Sequence, residues 1–142
     1  MKDTLAFLVS QLRRDFSAYC GHQLQEMGVT QRELFYIIYI GNHGGCLAKE
    51  VSAALAADAG YTARLLAKLE ERGFLRQEVN PQDKRAKQLY LTEEGEKISQ
   101  ASRRLFAQWD EEVFSRFSQE ERQALLSQMK KIWAQRRAEA DV

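Results

Sequence analysis

Proline is almost absent from this 142-residue chain, where Pro81 stands alone. That scarcity excludes a proline-rich linker or extended recognition segment and leaves long stretches free to form helix. Cysteine and histidine are nearly as rare, with Cys20 and Cys46 and with His22 and His43. Two thiols make a poor disulfide framework, and none of the four residues has metal-ligand spacing, so neither a zinc site nor any other cofactor is expected. Long apolar runs are missing too. The longest, Leu34 to Ile40, falls far short of the roughly 20 residues of a membrane helix. Met1-Lys2-Asp3-Thr4 has no basic region leading into an apolar stretch, so no signal peptide is read there and a cytoplasmic location is expected. There is no glycine-rich phosphate loop, nucleophile elbow or metal cluster, so the residues do not support an enzyme. An excess of charge of one sign is also lacking, the formal net charge being +1.

What is present is helix periodicity. Leu5, Leu8, Leu12, Phe16, Tyr19, Leu24 and Met27 form an apolar stripe that predicts one long amphipathic helix ended by Gly28. Thr30 and Glu33 have capping-box spacing and open a second helix, apolar nearly all round through Leu34, Phe35, Ile37, Ile38 and Ile40, and stopped by Asn42-His43-Gly44-Gly45. A short helix is expected over Ala48–Ala56, and another over Ala59–Arg72 with Tyr61, Leu65, Leu66 and Leu69 inward and Arg64, Lys68 and Arg72 outward. Gly73 ends it. Two short strands, Phe74–Val79 and Gln88–Leu91, flank Asn80-Pro81-Gln82-Asp83, whose residue types favour a turn, with Asp83–Lys87 at the hairpin tip. Thr92 then caps a helix from Glu93 to about Arg116, carrying Ile98, Leu105, Trp109 and Val113. Ser118 and Glu121 open a last one with Leu125, Leu126, Met129, Ile132 and Trp133. The fold class is therefore mainly α with a small β-hairpin.

Charge is distributed unevenly along this order. Residues 61–90 hold seven Lys/Arg against four Asp/Glu, net +3, and residues 106–125 hold two against five, net −3. Two helices joined by a short turn and followed by a basic hairpin outline a winged helix-turn-helix, with a basic face for phosphate and an acidic segment away from it. The major groove admits one helix, about 12 Å being available. At the start of the Ala59–Arg72 helix, Gly60 and Ala63 permit close approach, while Tyr61, Thr62 and Arg64 offer hydrogen-bonding groups and Lys68 a cation. On the hairpin, Arg85 has the reach to enter a narrow minor groove, Asp83 is placed to pair with it, and Lys84 and Lys87 are placed for flanking phosphates.

These residues resemble the MarR family of regulators. Asp83-Lys84-Arg85, five residues, then Leu91-Thr92 fits that family's wing signature. Leu65-Leu66-Ala67-Lys68-Leu69-Glu70-Glu71-Arg72-Gly73-Phe74-Leu75 is similar to its recognition-helix exit, and Thr92-Glu93-Glu94-Gly95 to the start of its next helix. Asp58-Ala59-Gly60-Tyr61 departs from the family's usual Ser/Thr-rich helix start. The resemblance implies a single domain over 1–142, with a winged-helix DNA-binding region at 30–92 and dimerisation helices at 1–28 and 93–142. It implies a homodimer that reads a near-palindromic operator in double-stranded DNA, usually as a repressor relieved by a small anionic or phenolic effector or by cysteine oxidation. The apolar stripes at the two chain ends point to the same pairing, because a winged core of about 65 residues can hardly cover both.

Several features keep a plainer reading beside the functional one. Arg64, Lys68 and Arg72 alone describe a solvated helix face, and Asp83–Arg85 alone an ordinary turn ion pair. Tyr19, Phe35, Tyr36, Tyr39 and Trp109 read either as core or as the lining of an effector pocket, for which Tyr19, Tyr36 and Tyr39 are the candidates. Cys20 is a small buried hydrophobe or, in an alternative reading, the sensor of a thiol-based redox regulator on the same scaffold, which needs an accessible thiolate. Cys46 reads as packing and His43 as a helix-end group. A winged-helix module that binds protein instead of DNA would leave the basic hairpin unused.

Overall fold

The computed structural model describes residues 3–140. Contacts divide the chain into a unit ending at Phe106 and one beginning at Ala107. In the first unit, helix α1 spans Leu5–Met27, and its N-cap Thr4 accepts the N–H of Phe7 at 3.2 Å. It ends where Gly28 turns left-handed at φ 73°, a conformation glycine adopts without steric cost. Its C-terminal part packs inward through Cys20 and Leu24, whereas Leu5, Leu8, Val9 and Leu12 lie exposed.

Helix α2, Gln31–Asn42, starts on the expected capping box, with both reciprocal bonds formed. It is the central helix of this unit: Leu34, Tyr36, Ile37 and Ile40 are buried. Phe35 is exposed instead, because it lies one position off the buried stripe. Gly45, at φ 88°, turns the chain so that Cys46 forms an isolated antiparallel bridge with Leu89, its carbonyl accepting the Leu89 N–H at 2.8 Å.

Helix α3 spans Ala48–Ala54 and is shorter than the expected Ala48–Ala56. Ala56 adopts φ 51°, and the Ala57 N–H bonds back to Ser52, so the chain has left the helical path. Helix α4, Ala59–Glu71, is capped by Asp58, whose carboxylate accepts the Tyr61 N–H at 2.9 Å. Its C-terminus closes as Phe74 N–H bonds the Leu69 carbonyl and Gly73 takes φ 83°. That closure holds Phe74 outside the sheet, so strand β1 is Leu75–Asn80, one residue later than expected.

Strand β2, Asp83–Leu91, pairs antiparallel with β1 and extends well beyond the expected Gln88–Leu91. The turn proper is Pro81-Gln82. Val79 faces Lys87 but Asn80 faces Asp83, so Lys84, Arg85 and Ala86 lie outside the regular ladder. Helix α5, Glu93–Val113, begins at Thr92, whose hydroxyl accepts the Gly95 N–H at 3.1 Å and donates to the Gly73 carbonyl at 2.6 Å. A Cβ at Gly95 would stand 2.0 Å from the Phe74 carbonyl oxygen, so this crossing admits only glycine as the backbone stands.

In the second unit, α5 ends at Val113, short of the expected Arg116. Phe117 N–H turns back to the Phe114 carbonyl, and the two rings meet edge to face at 5.7 Å. Ser118 and Glu121 form the expected capping box at the start of helix α6, Gln119–Ala140. Arg122 bonds Glu111 at 2.8 Å and lies over the Phe114 ring. Leu125, Leu126, Met129, Ile132 and Trp133 are exposed along α6.

Candidate nucleic-acid interface

The leucines of α4 decide which of its residues can face a partner. Leu65, Leu66 and Leu69 are buried, so Gly60, Ala63, Arg64, Ala67 and Lys68 share the opposite, exposed face. Gly60 leaves room for the Arg64 guanidinium, which would lie 3.5 Å from a Cβ there. The face is small and cationic, as the sequence led us to expect at Gly60, Arg64 and Lys68.

Two of the expected contact residues are elsewhere. Thr62 is 1% exposed, and its hydroxyl is hydrogen-bonded to that of Tyr36 at 2.8 Å. It stands three, four and seven residues before Leu65, Leu66 and Leu69, in the phase of the buried stripe, and so is withdrawn from the surface. Tyr61 is half-buried, with the Arg32 guanidinium 5.4 Å from its ring centroid. Arg72, read as outward, reaches back to Glu33 at 2.8 Å and donates to the Gly28 carbonyl, with its guanidinium over the Phe74 ring. The sequence had explained Glu33 completely as a helix cap, which hid its second partner.

On the hairpin, Asp83, Lys84, Arg85 and Lys87 are all exposed. Asp83 does not form the expected ion pair. Its carboxylate accepts the backbone N–H of Arg85 at 3.0 Å, an Asx-type bond that fixes the chain just past the turn and leaves the guanidinium to other partners. A groove of about 430 Å³ lies between this strand and the helices, bordered by Asp83, Arg85 and Lys87 on one side and by Lys49 of α3 and Ala63 of α4 on the other. The structure thus brings the hairpin cations Arg85 and Lys87 beside Ala63 of the exposed α4 face. It adds Lys49, which no motif singled out.

The proposed effector residues do not converge. Only Tyr36 borders the cleft of about 790 Å³ enclosed by Arg13 of α1, Arg32 and Phe35 of α2, the Leu55–Asp58 turn and Tyr61. Tyr39 stacks on His43 at 4.1 Å, and Tyr19 packs half-buried against the core. Cys20 is fully buried, and burial pushes its thiol above the ordinary range, the opposite of the exposed, low-pKa thiol that a redox role calls for. Cys46 is buried as well. Its thiol is raised by burial and then by the Glu50 charge, against a backbone hydrogen bond that lowers it.

Among the described residues there is no group of three or more His, Cys, Asp or Glu placed to hold a metal ion, and no helix is long and apolar enough to cross a membrane.

Comparison with known proteins converges on one group. A family model described as "MarR family" matches residues 27–86, which hold α2, the helix-turn-helix and most of the hairpin. The chain is 37% identical to the HTH-type transcriptional regulator BilQ of Clostridium symbiosum, over 93% of this chain and 92% of that one. It is similar to a crystal structure of MarR, at 26% identity and a TM-score of 0.81, over 99% and 96% of the two chains. A MarR-family structure from Listeria monocytogenes in complex with a 26mer DNA superposes with a TM-score of 0.87 at 20% identity, over 98% and 92%, a likeness of fold.

Proposed function

Because this chain belongs to the MarR family of transcriptional regulators, which are not enzymes, we propose that it is a homodimeric repressor that reads a near-palindromic operator in duplex DNA. The observation that carries this reading is the groove where the hairpin cations Arg85 and Lys87 face the exposed side of α4, with Arg64 and Lys68 along that side. A helix presenting Gly60 and Ala63 can approach base edges in the major groove, while Lys68, Lys84 and Lys87 neutralise phosphates and Arg85 enters the neighbouring minor groove. In this reading 30–92 is the DNA-binding region of a single domain. Repression follows if the operator overlaps a promoter, since a bound dimer excludes polymerase. The protein acts where the chromosome is, in the cytoplasm.

Pairing is supported by the exposed apolar residues of α1 and of α6, which water would otherwise solvate at a cost of about 25 cal/mol per Å². Residues 1–28 and 93–142 then supply the dimerisation helices, with Met1, Lys2, Asp141 and Val142 lying outside the described residues. Two-fold symmetry sets two α4 helices about one turn of DNA apart, roughly 34 Å.

The effector site is the cleft bordered by Arg13, Arg32, Tyr36 and Tyr61. Two guanidinium groups and the half-buried Tyr61 suit a small anionic or phenolic molecule. Its wall includes the turn before α4, so a ligand that binds better to one setting of that turn shifts the DNA-bound population.

Fluorescence anisotropy with duplexes from the gene's own upstream region tests the core of the proposal. Operator affinity should fall linearly in log–log form with salt, and Arg85→Ala should weaken binding strongly while the far-UV spectrum and sedimentation coefficient stay unchanged. A wild type that binds no duplex at low salt, or an Arg85→Ala protein that binds as well as wild type, overturns it.

A further inference from the structure

Helix α4 is tied to α2 at both of its ends by polar contacts. At the N-terminal end, the Thr62 and Tyr36 hydroxyls meet at 2.8 Å in the interior. Ten residues on, about 15 Å along the helix axis, Arg72 bonds Glu33 at 2.8 Å and also the carbonyl of Gly28, the residue that caps α1. Glu33 is a poor candidate for a surface ion pair, since its side chain is 7% exposed. One of its carboxylate oxygens is shared between Arg72 and the Thr30 N–H, and the other has Lys68 Nζ at 3.8 Å. A buried carboxylate is tolerated only with partners of this kind, and removing one leaves the charge uncompensated. Two attachments separated along a helix fix both its rotation about its own axis and its tilt, which a single contact cannot do.

We propose that Glu33 and Arg72 are positioning residues for operator reading: they hold the C-terminal end of α4 against α2 and α1, so that Arg64 and the Gly60–Ala63 face meet the base edges in register. This rests on the DNA-binding reading above. Arg72 is withdrawn from phosphate by the same contacts, so it contributes to specificity without contributing to counterion release.

The test compares Glu33→Gln, Arg72→Gln and the double variant with wild type, on the operator and on an unrelated duplex, across a salt series. Operator affinity should drop about tenfold, the size of one misread base pair. Affinity for the unrelated duplex should stay within about twofold, and the salt slope should be unchanged. The two substitutions should be non-additive, because they break the same ion pair. If Arg72 instead touched phosphate directly in each subunit, its removal would reduce the slope by about 1.8, and that result for Arg72→Gln overturns the proposal. So does operator binding equal to wild type, or an equal loss on both duplexes. If Arg72→Gln does not fold, Arg72→Lys carries the test: it keeps the charge near Glu33, loses the fork that also reaches Gly28, and should show a smaller loss with the same slope. A wild type that binds no duplex fails the DNA-binding reading and this proposal with it, whereas a wild type that binds and variants that match it fail this proposal alone.

Discussion

Replacing Tyr36 by Phe removes one oxygen from the centre of the first unit, and the size of the effect follows from what that oxygen leaves behind. Both residues of the Tyr36–Thr62 pair are 1% exposed, so water does not substitute for the missing partner. Burying an unsatisfied hydroxyl costs about 1–3 kcal/mol. Thr62→Val, nearly the same shape, orphans the Tyr36 hydroxyl and should cost a similar amount. The double variant has no orphan on either side, so it should be close to neutral, giving a coupling of about 1–3 kcal/mol between the two sites. Urea denaturation followed by circular dichroism measures this, at one fixed protein concentration, because under the proposed pairing apparent stability depends on concentration. Each kcal/mol corresponds to a shift of about 2–4 °C in Tm for a chain of this size. The reasoning fails if the two single losses simply add in the double variant, since each hydroxyl would then be acting through some other partner. It also fails if Thr62→Val leaves stability untouched while abolishing operator binding, which would return Thr62 to the surface.

Four other outcomes follow from particular contacts. Gly95→Ala should destabilise severely or prevent folding, because its Cβ would meet the Phe74 backbone oxygen at 2.0 Å and neither backbone can yield cheaply; the thermal melt reports it. Ser99→Ala should do the opposite, raising stability by about 1 kcal/mol, because the buried Ser99 hydroxyl has no hydrogen-bond partner to lose; a lower melting temperature would contradict this. Cys20, held as a buried thiol with its pKa raised, should alkylate far more slowly in the folded protein than in urea. The unfolded state ionises first as pH rises past about 8.5, so the stability contribution of this thiol is present below that pH and declines above it, visible in midpoints measured from pH 7 to 9.5. Leu8→Glu in the exposed apolar part of α1 should lower the sedimentation coefficient towards that of a single subunit, and a species unchanged in size would remove this face from the dimer interface.

Most elements of the fold were legible because their signals are local. The capping boxes at Thr30-Glu33 and Ser118-Glu121 each involve residues three apart and formed as read. Gly28 and Gly73 ended helices for a reason contained in their own backbone angles. Strand pairing is less local. Leu89 bridges to Cys46, more than forty residues away, and no pattern around Gly44-Gly45-Cys46 announces that isolated bridge. The start of β2 was misjudged for a related reason. Asp83 to Lys87 is strongly charged and reads as loop, yet β1 supplies a partner at Val79–Lys87 and the irregular register accommodates the rest. Of the candidate site, Gly60, Arg64 and Lys68 were legible from the helix phase, and the hairpin cations from their motif.

Thr62, expected to contact DNA, and Arg72, expected to point outward, share with Glu33 and Tyr36 one property that was present in the sequence. Thr62 and Arg72 occupy the phase of Leu65 and Leu69, three residues before the first and three after the second. Glu33 and Tyr36 occupy the phase of Ile37 and Ile40 on α2, Glu33 four and seven residues before them. A polar group at an apolar phase can project outward only by bending away from its own stripe; otherwise it needs a hydrogen-bonding partner in the interior. Four such groups on two helices that must pack on each other admit few pairings. Charge complementarity selects Glu33 with Arg72, leaving the two hydroxyls for one another, and this is what the structure contains. The residue types that look most like DNA contacts on α4, a threonine and an arginine, are therefore divided by phase: those on the leucine stripe hold the helix in place, and those opposite it are free to meet a ligand. The same division can be applied to any helix whose buried stripe is interrupted by a hydroxyl or a guanidinium, before any coordinates exist.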